Sequence, residues 1–225
     1  MDSRLRAAVD ASLGWYEDLC SLHGVGSQLI DGLWTSLGPP PPLHSDAVAV
    51  EPTVTRDQVL AALDDREHAG FKDSFSTVDM SNAGMDLLFA ASWIHRPAMS
   101  GRTAGGSSRW SVVTDVKALA DWSSRHDTTG VLLPALLERA HFKVLARYQA
   151  GSVVAGAVAR LGSGVVDLSN VYALPGETVD WAELTHAILR LFPGRAIVGY
   201  ERGDDLVGAI AGSFTPVGEL RVWAR

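Results

Sequence analysis

Several features are scarce in this sequence, and each scarcity excludes a class of protein. A single cysteine, Cys20, excludes an internal disulfide or a cysteine-built zinc cluster. The net charge of −7 provides no basic field to attract nucleic acid or anionic lipid. The longest apolar run, Met85 to Ile94, is about half the length that spans a bilayer, and the N-terminus has no apolar signal core. We therefore expect a soluble, cytoplasmic protein that binds a small molecule and has no nucleic-acid or membrane partner.

Short catalytic and metal-binding motifs are also missing. The seven histidines are scattered, with no H-x-x-x-H or H-E-x-x-H spacing, so we expect no metal ion. There is no G-x-S-x-G, no P-loop and no strand-linked G-x-G-x-x-G. The function must therefore be inferred from the order of the predicted elements.

What the sequence does contain is a globular composition, with 47% hydrophobic residues and seven tryptophans. The first hundred residues predict an N-terminal α/β extension. It consists of an amphipathic helix over 3–22, a strand over 47–50, a helix capped by Thr55 and Gln58, and a strand over 85–94. A Gly- and Ser-rich stretch from Ala98 to Arg109 is the predicted linker. The predicted division is therefore 1–100 and 109–225.

The second segment, 109–225, alternates strand and helix patterns regularly. Strands are predicted over 110–113, 142–148, 153–160, 165–172, 196–200 and the C-terminal stretch. Helices are predicted over 116–125, 132–139 and 180–192, and in the short stretch after residue 205. Asp180 and Glu183 form a predicted capping box, and Asp204 and Asp205 are predicted caps of the last helix.

The last thirty residues carry the most information. An apolar run, Ala196 to Tyr200, leads into Glu201-Arg202-Gly203-Asp204-Asp205, and later Gly212-Ser213-Phe214 precedes the closing strand. This stretch, with the element order before it, resembles the GNAT superfamily of acyl-CoA acyltransferases. The resemblance implies an α/β fold in which a mixed, mainly antiparallel sheet is flanked by helices. Segment 1–100 is compatible with a degenerate copy, since both segments end in an apolar strand with a tryptophan, Trp93 or Trp223.

The resemblance also implies an acyl-CoA site, with acetyl-CoA or another acyl-CoA as the donor. The strand 165–172 is expected to part from the strand 196–200. Its backbone at Leu168, Ser169, Asn170 and Val171 would then pair with the pantetheine arm. The next loop, which contains Gly176, occupies the position where the family holds the pyrophosphate on backbone donors at a helix N-terminus.

Two residues where the strand 196–200 ends are the predicted catalytic pair. Glu201 is predicted as the general base and Tyr200 as the donor of a proton or a hydrogen bond. The alternative for Glu201 is a surface carboxylate that pairs with Arg202. The predicted substrate pocket consists of Trp34, His44 and Trp93.

The sequence departs from the family pattern in the cofactor loop and in the last helix. The loop from Ala173 to Trp181 has one glycine and no Arg, Lys or Gln. Its acidic residues, Glu177 and Asp180, would repel a pyrophosphate by ~1 kcal/mol per charge. Ala209 occupies the position of the family's thiolate-protonating tyrosine.

Three functions therefore stay open. The first is an acyltransferase that moves an acyl group from acyl-CoA to a small-molecule or amine acceptor. The second is a GNAT-fold enzyme that has lost CoA and acts on another small molecule. The third is a non-catalytic protein that binds a ligand or partner. A homodimer is compatible with all three.

Overall fold

The computed structural model describes residues 1–99 and 108–225. The helices are α1 (Ser3–Leu22), α2 (Arg56–Ala62), α3 (Val116–Arg125), α4 (Trp181–Leu191) and α5 (Gly203–Ala211), with a 3-10 helix at Pro134–Glu138. The strands are β1 (Ser27–Ile30), β2 (Leu33–Ser36), β3 (Ala47–Ala49), β4 (Gly70–Asp73), β5 (Asp86–Arg96), β6 (Trp110–Val112), β7 (Phe142–Gln149), β8 (Ser152–Gly162), β9 (Val165–Ala173), β10 (Ile197–Glu201) and β11 (Thr215–Ala224). Most of the predicted linker, Ala98 to Arg109, lies outside the described residues.

The eleven described strands form one sheet in the order β1-β2-β3-β4-β11-β5-β10-β9-β8-β7-β6. Among them only β3 with β4 and β9 with β10 run parallel; the other neighbours are antiparallel. The predicted fold class, a mixed and mainly antiparallel sheet flanked by helices, is confirmed.

Strands from distant parts of the sequence alternate at the centre of this sheet. β11 pairs with β4 and β5, and β5 pairs with β11 and β10. The arrangement of β1–β4 with α2 is repeated by β7–β10 with α4: antiparallel neighbours lead into a parallel pair that is joined through a helix. Each repeat is then extended by the last strand of the other one, which carries Trp93 or Trp223. The division into 1–100 and 109–225 stays a prediction.

The helices cover both faces because alternate residues of each strand point to opposite sides. On β8, Val158 belongs to the core under α1 and α3, whereas Ala157 and Ala159 belong to the core under α4 and α5. α2 covers a third apolar cluster around Phe71 and Trp223.

Helix α1 matches its predicted range and lies over the centre of the sheet. Its anchor is Asp18, whose carboxylate accepts a 2.6 Å hydrogen bond from Arg160 Nε on β8 and one of 3.1 Å from Arg139 Nη1. This placement directs other α1 side chains, among them Ser12 and Tyr16, toward β4, β9 and β10.

Several local predictions need correction. The sequence pattern misses β1, β2 and β4, because each has only four residues and β4 mixes polar Lys72 and Asp73 with its apolar positions. The helix predicted over 132–139 is a 3-10 helix. Asp204 and Asp205 lie in the first turn of α5, whose N-cap is Arg202, so they are not caps.

Candidate active site at the parted strands

The neighbouring strands β9 and β10 separate, as the resemblance implies. They pair only at Ile197 with Val166, Val198 with Asp167 and Gly199 with Leu168. Beyond this point β9 continues to Ala173 and β10 to Glu201 without pairing to each other.

Local backbone features accompany the separation. Gly199 has no side chain at the last paired position, where a Cβ atom would collide with the carbonyl oxygen of Leu168. On β9 the pairing with β8 shifts register, and Asn170 adopts φ 51°. Such a bulge bends its strand and increases the local twist, which turns β9 away from β10.

A cavity of about 270 Å³ opens where the strands part. Its walls come from α1, β4, β9, β10, the segment before β3 and the segment after α3. Its polar and aromatic lining includes Ser12, Tyr16, His44, Lys72, Asp167, Ser169, Asn170, Tyr200 and Glu201. The parted strands therefore form one wall of an internal space in which polar and ionisable side chains converge.

Lys72 brings a buried amine to this cavity. Its Nζ lies 4.2 Å from the centre of the Tyr200 ring, 4.7 Å from that of Trp93 and 5.5 Å from that of Tyr16. It donates one hydrogen bond, of 2.8 Å, to Ser12 Oγ. Burial lowers the pKa of Lys72 to about 7, and attraction to Asp167 opposes this only in part. The three rings stabilise the charged form through their π faces.

Two carboxyl groups face the same cavity. Asp167 is buried, and burial raises the pKa of its carboxyl to about 6 against the attraction of Lys72 and Arg160. Burial, reinforced by repulsion from Asp205, raises the pKa of Glu201 to about 8. At neutral pH Asp167 is therefore mostly ionised and Glu201 mostly protonated. Unequal pKa values in one site are typical of an acid and a base that work together.

His44 also lines the cavity, but both of its ring nitrogens are engaged. Nε2 accepts a hydrogen bond of 2.9 Å from Trp15 Nε1, so the neutral ring donates from Nδ1 to the Pro42 carbonyl oxygen at 3.0 Å. Burial lowers the pKa of His44 to about 4. The ring is thus fixed as a neutral wall of the cavity.

The structure brings together most of the residues that the sequence predicts for the site. Glu201, Tyr200, His44, Leu168, Ser169, Asn170 and Val171 all line the cavity. Burial raises the pKa of Tyr200, which keeps its phenol protonated. Trp93 and Trp34 are buried in the core instead. The Trp93 ring contacts the Lys72 amine, and Trp34 packs edge-on against Tyr16.

Gly176 lies away from the cavity, in the loop before α4. This loop makes a turn in which the Glu177 amide donates to the Leu174 carbonyl oxygen, and Gly176 adopts φ 86°. Position three of such a turn, after Pro175, requires a positive φ that glycine tolerates. Glu177 forms a 2.6 Å ion pair with Arg147.

The N-terminus of α4 does not fit a pyrophosphate. Asp180 accepts a hydrogen bond from the Glu183 amide, which consumes one of the free helix donors. Glu183 does not complete the predicted capping box, because its carboxylate pairs with Arg109 at 2.6 Å. Asp180, Glu183 and Glu177 also engage the nearby cations, Arg109 and Arg147. Neither these arginines nor the capped donor is then open to a pyrophosphate, so the nucleotide end of acyl-CoA does not fit here. The parted backbone of β9 is compatible with the pantetheine arm.

A second, more apolar groove of about 460 Å³ adjoins the cavity. The two share Tyr16, Leu43, His44 and Tyr200. The groove continues toward β11 along apolar residues that include Leu88, Phe89 and Val222. An apolar extension of a ligand in the cavity would be accommodated there.

Sequence reasoning misses Lys72 and Asp167. Asp167 is detectable in principle, as a charged residue within the apolar run Val165 to Leu168. Lys72 gives no signal, because its strand has no readable pattern and its neighbours in space come from α1, β5 and β10. Among the described residues, no cluster of three or more His, Cys, Asp or Glu side chains could hold a metal ion. No helix in residues 1–99 and 108–225 is long and apolar enough to cross a bilayer.

The structure was compared with known proteins, and solved structures with the same fold were found. No protein-family model matches the chain, and no curated protein matches it at a significant level. Several solved structures do. A GCN5-related N-acetyltransferase from Kribbella flavida superposes with a TM-score of 0.62 at 13% identity, over 96% of this chain and 95% of that one. A conserved protein of unknown function from Staphylococcus epidermidis gives 0.64 at 11% identity, over 89% and 94%.

A GCN5-related N-acetyltransferase-like protein from Streptococcus suis matches with a TM-score of 0.56 at 12% identity, and the match covers 100% of both chains. These likenesses extend into the first hundred residues, which the sequence analysis treated as an extension compatible with a degenerate copy. At such low identity they concern the fold and leave the reaction open. The chain has the fold of the GNAT N-acetyltransferases.

Proposed function

We propose that this protein is an acyltransferase that moves an acyl group from a thioester donor to a small amine bound in the cavity. The observation that carries the proposal is the convergence of Asp167, Glu201 and Lys72 on a cavity at the parted strands β9 and β10. The fold supports the reaction type, and the unpaired β9 backbone supports a donor with a pantetheine arm.

The two carboxyl groups have complementary roles in this proposal. An amine attacks a thioester carbonyl only when it is neutral, so a base must accept its proton. Asp167, with a pKa of about 6, is ionised at neutral pH and takes this role. The base role predicted for Glu201 is then restricted to pH values above its pKa of about 8.

At neutral pH Glu201 holds a proton that a departing thiolate needs. A free thiol has a pKa of about 8.5, so a carboxylic acid with a similar pKa transfers its proton without a large energetic cost. The new amide bond forms as the carbon–sulfur bond breaks, and the products are an amide and a thiol. Glu201 thereby supplies the proton that a tyrosine would supply at the position of Ala209 in the family. Tyr200 keeps its proton, supports Lys72 with its ring, and contributes a hydroxyl at the edge of the cavity.

The N-terminus of α4 favours a second candidate function, binding or conversion of a small molecule without acyl-CoA. Asp180, Glu183 and Glu177 leave no anion site for a pyrophosphate there. Under the first proposal the donor is held through its arm and acyl group, and its nucleotide contributes little affinity.

Calorimetric titration with acetyl-CoA and with S-acetylpantetheine, which lacks the nucleotide, separates these cases. The acyltransferase proposal predicts that both thioesters bind, with affinities within about threefold of each other. Binding of neither would favour the second candidate. A preference for acetyl-CoA of about 100-fold or more would show that the nucleotide has a site, which would contradict the charge argument for the loop before α4.

A further inference from the structure

Three ionisable side chains of the cavity, Lys72, Asp167 and Glu201, have few or no hydrogen-bond partners among the described residues. The carboxyl groups of Asp167 and Glu201 interact with other described residues only through burial and charge, without a hydrogen bond. Lys72 Nζ has three donor hydrogens, and among the described residues it donates only to Ser12 Oγ. Lys72 is 1% exposed and Asp167 is 4% exposed. A buried polar group without a partner is costly, and a ligand that supplies the partners recovers that cost.

The signs of the charges restrict the ligand. Lys72 provides a cation on the side of β4, and Asp167 and Glu201 provide two acidic groups on β9 and β10. A ligand with only a carboxylate would satisfy Lys72 but face Asp167. A ligand with only an ammonium would satisfy the carboxyl groups but leave Lys72 unpaired. A molecule that carries both groups matches the whole lining.

The size of the cavity restricts the ligand further. Its volume of about 270 Å³ lies just below the range of drug-sized pockets, which begins at about 300 Å³. The two charged groups of the ligand must therefore lie a few atoms apart.

We propose that the amine acceptor is a small zwitterion of the amino-acid type, whose carboxylate pairs with Lys72 and whose amine faces Asp167 and Glu201. This inference rests on the proposed acyl transfer to an amine and names its substrate class. Lys72 is then the residue that determines specificity: it selects amines that carry a carboxylate. A side chain on such an acceptor extends toward the apolar groove beside Tyr16 and Tyr200.

The test is a binding experiment without any thioester. The twenty proteinogenic amino acids are screened by thermal shift, and the tightest is titrated beside its methyl ester and its deaminated acid. We expect at least one amino acid to bind, and both analogues to bind about tenfold more weakly or worse, since each leaves a buried charge unpaired. An absence of stabilisation by all twenty would overturn the inference. So would an ester that binds as tightly as its amino acid.

Substitutions then assign the selectivity. Lys72→Met removes the charge at nearly constant length, and we expect it to abolish the preference for the amino acid over its ester. Lys117→Met alters an exposed lysine on α3 and serves as the matched control, with the preference retained. Asp167→Asn, a second probe, is expected to weaken binding of the amino acid and the ester alike. A preference that survives Lys72→Met in a folded protein contradicts the assignment.

The outcomes also distinguish this inference from the proposed function. Amino-acid binding that depends on Lys72, without turnover of any thioester, would leave the substrate class standing and reject acyl transfer. Turnover of simple amines, with no effect of a carboxylate, would retain acyl transfer and reject the zwitterion.

Discussion

Lys72 on β4 places its Nζ 4.2 Å from the centre of the Tyr200 ring on β10. These two strands are separated by β11 and β5 in the sheet and by more than a hundred residues in the sequence. The contact therefore joins the first part of the chain to the end of the parted strands. The chain has three lysines, and the structure describes all of them. Lys72 is the only buried one, and its side chain lines the cavity.

Removing the buried amine should change how stability depends on pH. The pKa of Lys72 falls from 10.5 to about 7 on folding, so the unfolded chain binds more protons between these values. The free energy of unfolding is therefore highest above pH 10.5, where the amine is neutral in both states, and it decreases as the pH falls to 7. Lys72→Met should therefore flatten the rise of unfolding free energy between pH 7 and 10, by on the order of 3 kcal/mol. Urea titrations at each pH measure this, and an unchanged slope would contradict the burial argument.

Glu201→Gln should have the opposite pH signature. The pKa of Glu201 is raised from 4.5 to about 8, so the folded state holds a proton that the unfolded state loses. The native protein then loses stability as the pH rises from 4.5 to 8, whereas the glutamine variant does not. At pH 8 we expect the variant to be more stable, by about 4 kcal/mol. Glu219→Gln, at an exposed position of β11, is the control and should follow the native curve. If Glu201→Gln also retains full acyl transfer at every pH, neither the acid nor the base role holds.

Because β5 and β11 each extend the repeat to which they do not belong, we expect that the second segment does not fold by itself. A fragment of residues 109–225 lacks β5, so β10 and β11 lose the strand between them and both expose unpaired edges. It also loses Trp93, which is fully buried beneath Lys72. We expect this fragment to show no cooperative thermal transition by circular dichroism, and co-expression with residues 1–99 to restore one. A cooperative transition in the isolated fragment would support two independent domains instead.

The loop before α4 predicts a gain of acyl-CoA affinity by charge removal. Glu177→Gln and Asp180→Asn remove two negative charges near the position expected for the phosphates, and asparagine still caps the helix. At about 1 kcal/mol per charge, acetyl-CoA should bind roughly 30-fold more tightly at low salt, and the gain should shrink at high salt. Calorimetry at two ionic strengths checks this, with S-acetylpantetheine as the matched ligand that should not respond. Equal gains for both ligands would place the effect elsewhere.

Much of the fold could be predicted from sequence because its signals are local. The helix over 3–22, the strand that ends the first segment and the strand-helix order after residue 109 all follow from hydrophobic periodicity and capping residues. β4 could not, since four residues with two charges carry no readable period. Nor could the exchange of β5 and β11, because strand partners are chosen by the packing of the whole sheet.

The candidate site divides in the same way. Glu201, Tyr200 and the β9 residues were predictable because their position follows from the element order and its resemblance to a known fold. Lys72 was not, because its role depends on Tyr16, Trp93 and Tyr200, which come from three other elements. His44 was predicted for the pocket, but its neutral state is fixed by Trp15 across the fold.

The sequence by itself determined the helices, most of the longer strands and the acidic character of the loop before α4, since these depend on residues close together in the chain. The parting of β9 from β10 was expected only from the resemblance to a known fold. Only the tertiary structure decided which ionisable groups meet. An amine from β4 and carboxyl groups from β9 and β10 share one cavity because the sheet interleaves its strands and α1 closes over them. Burial in that shared space then shifts their protonation toward neutral pH, which no local pattern can encode.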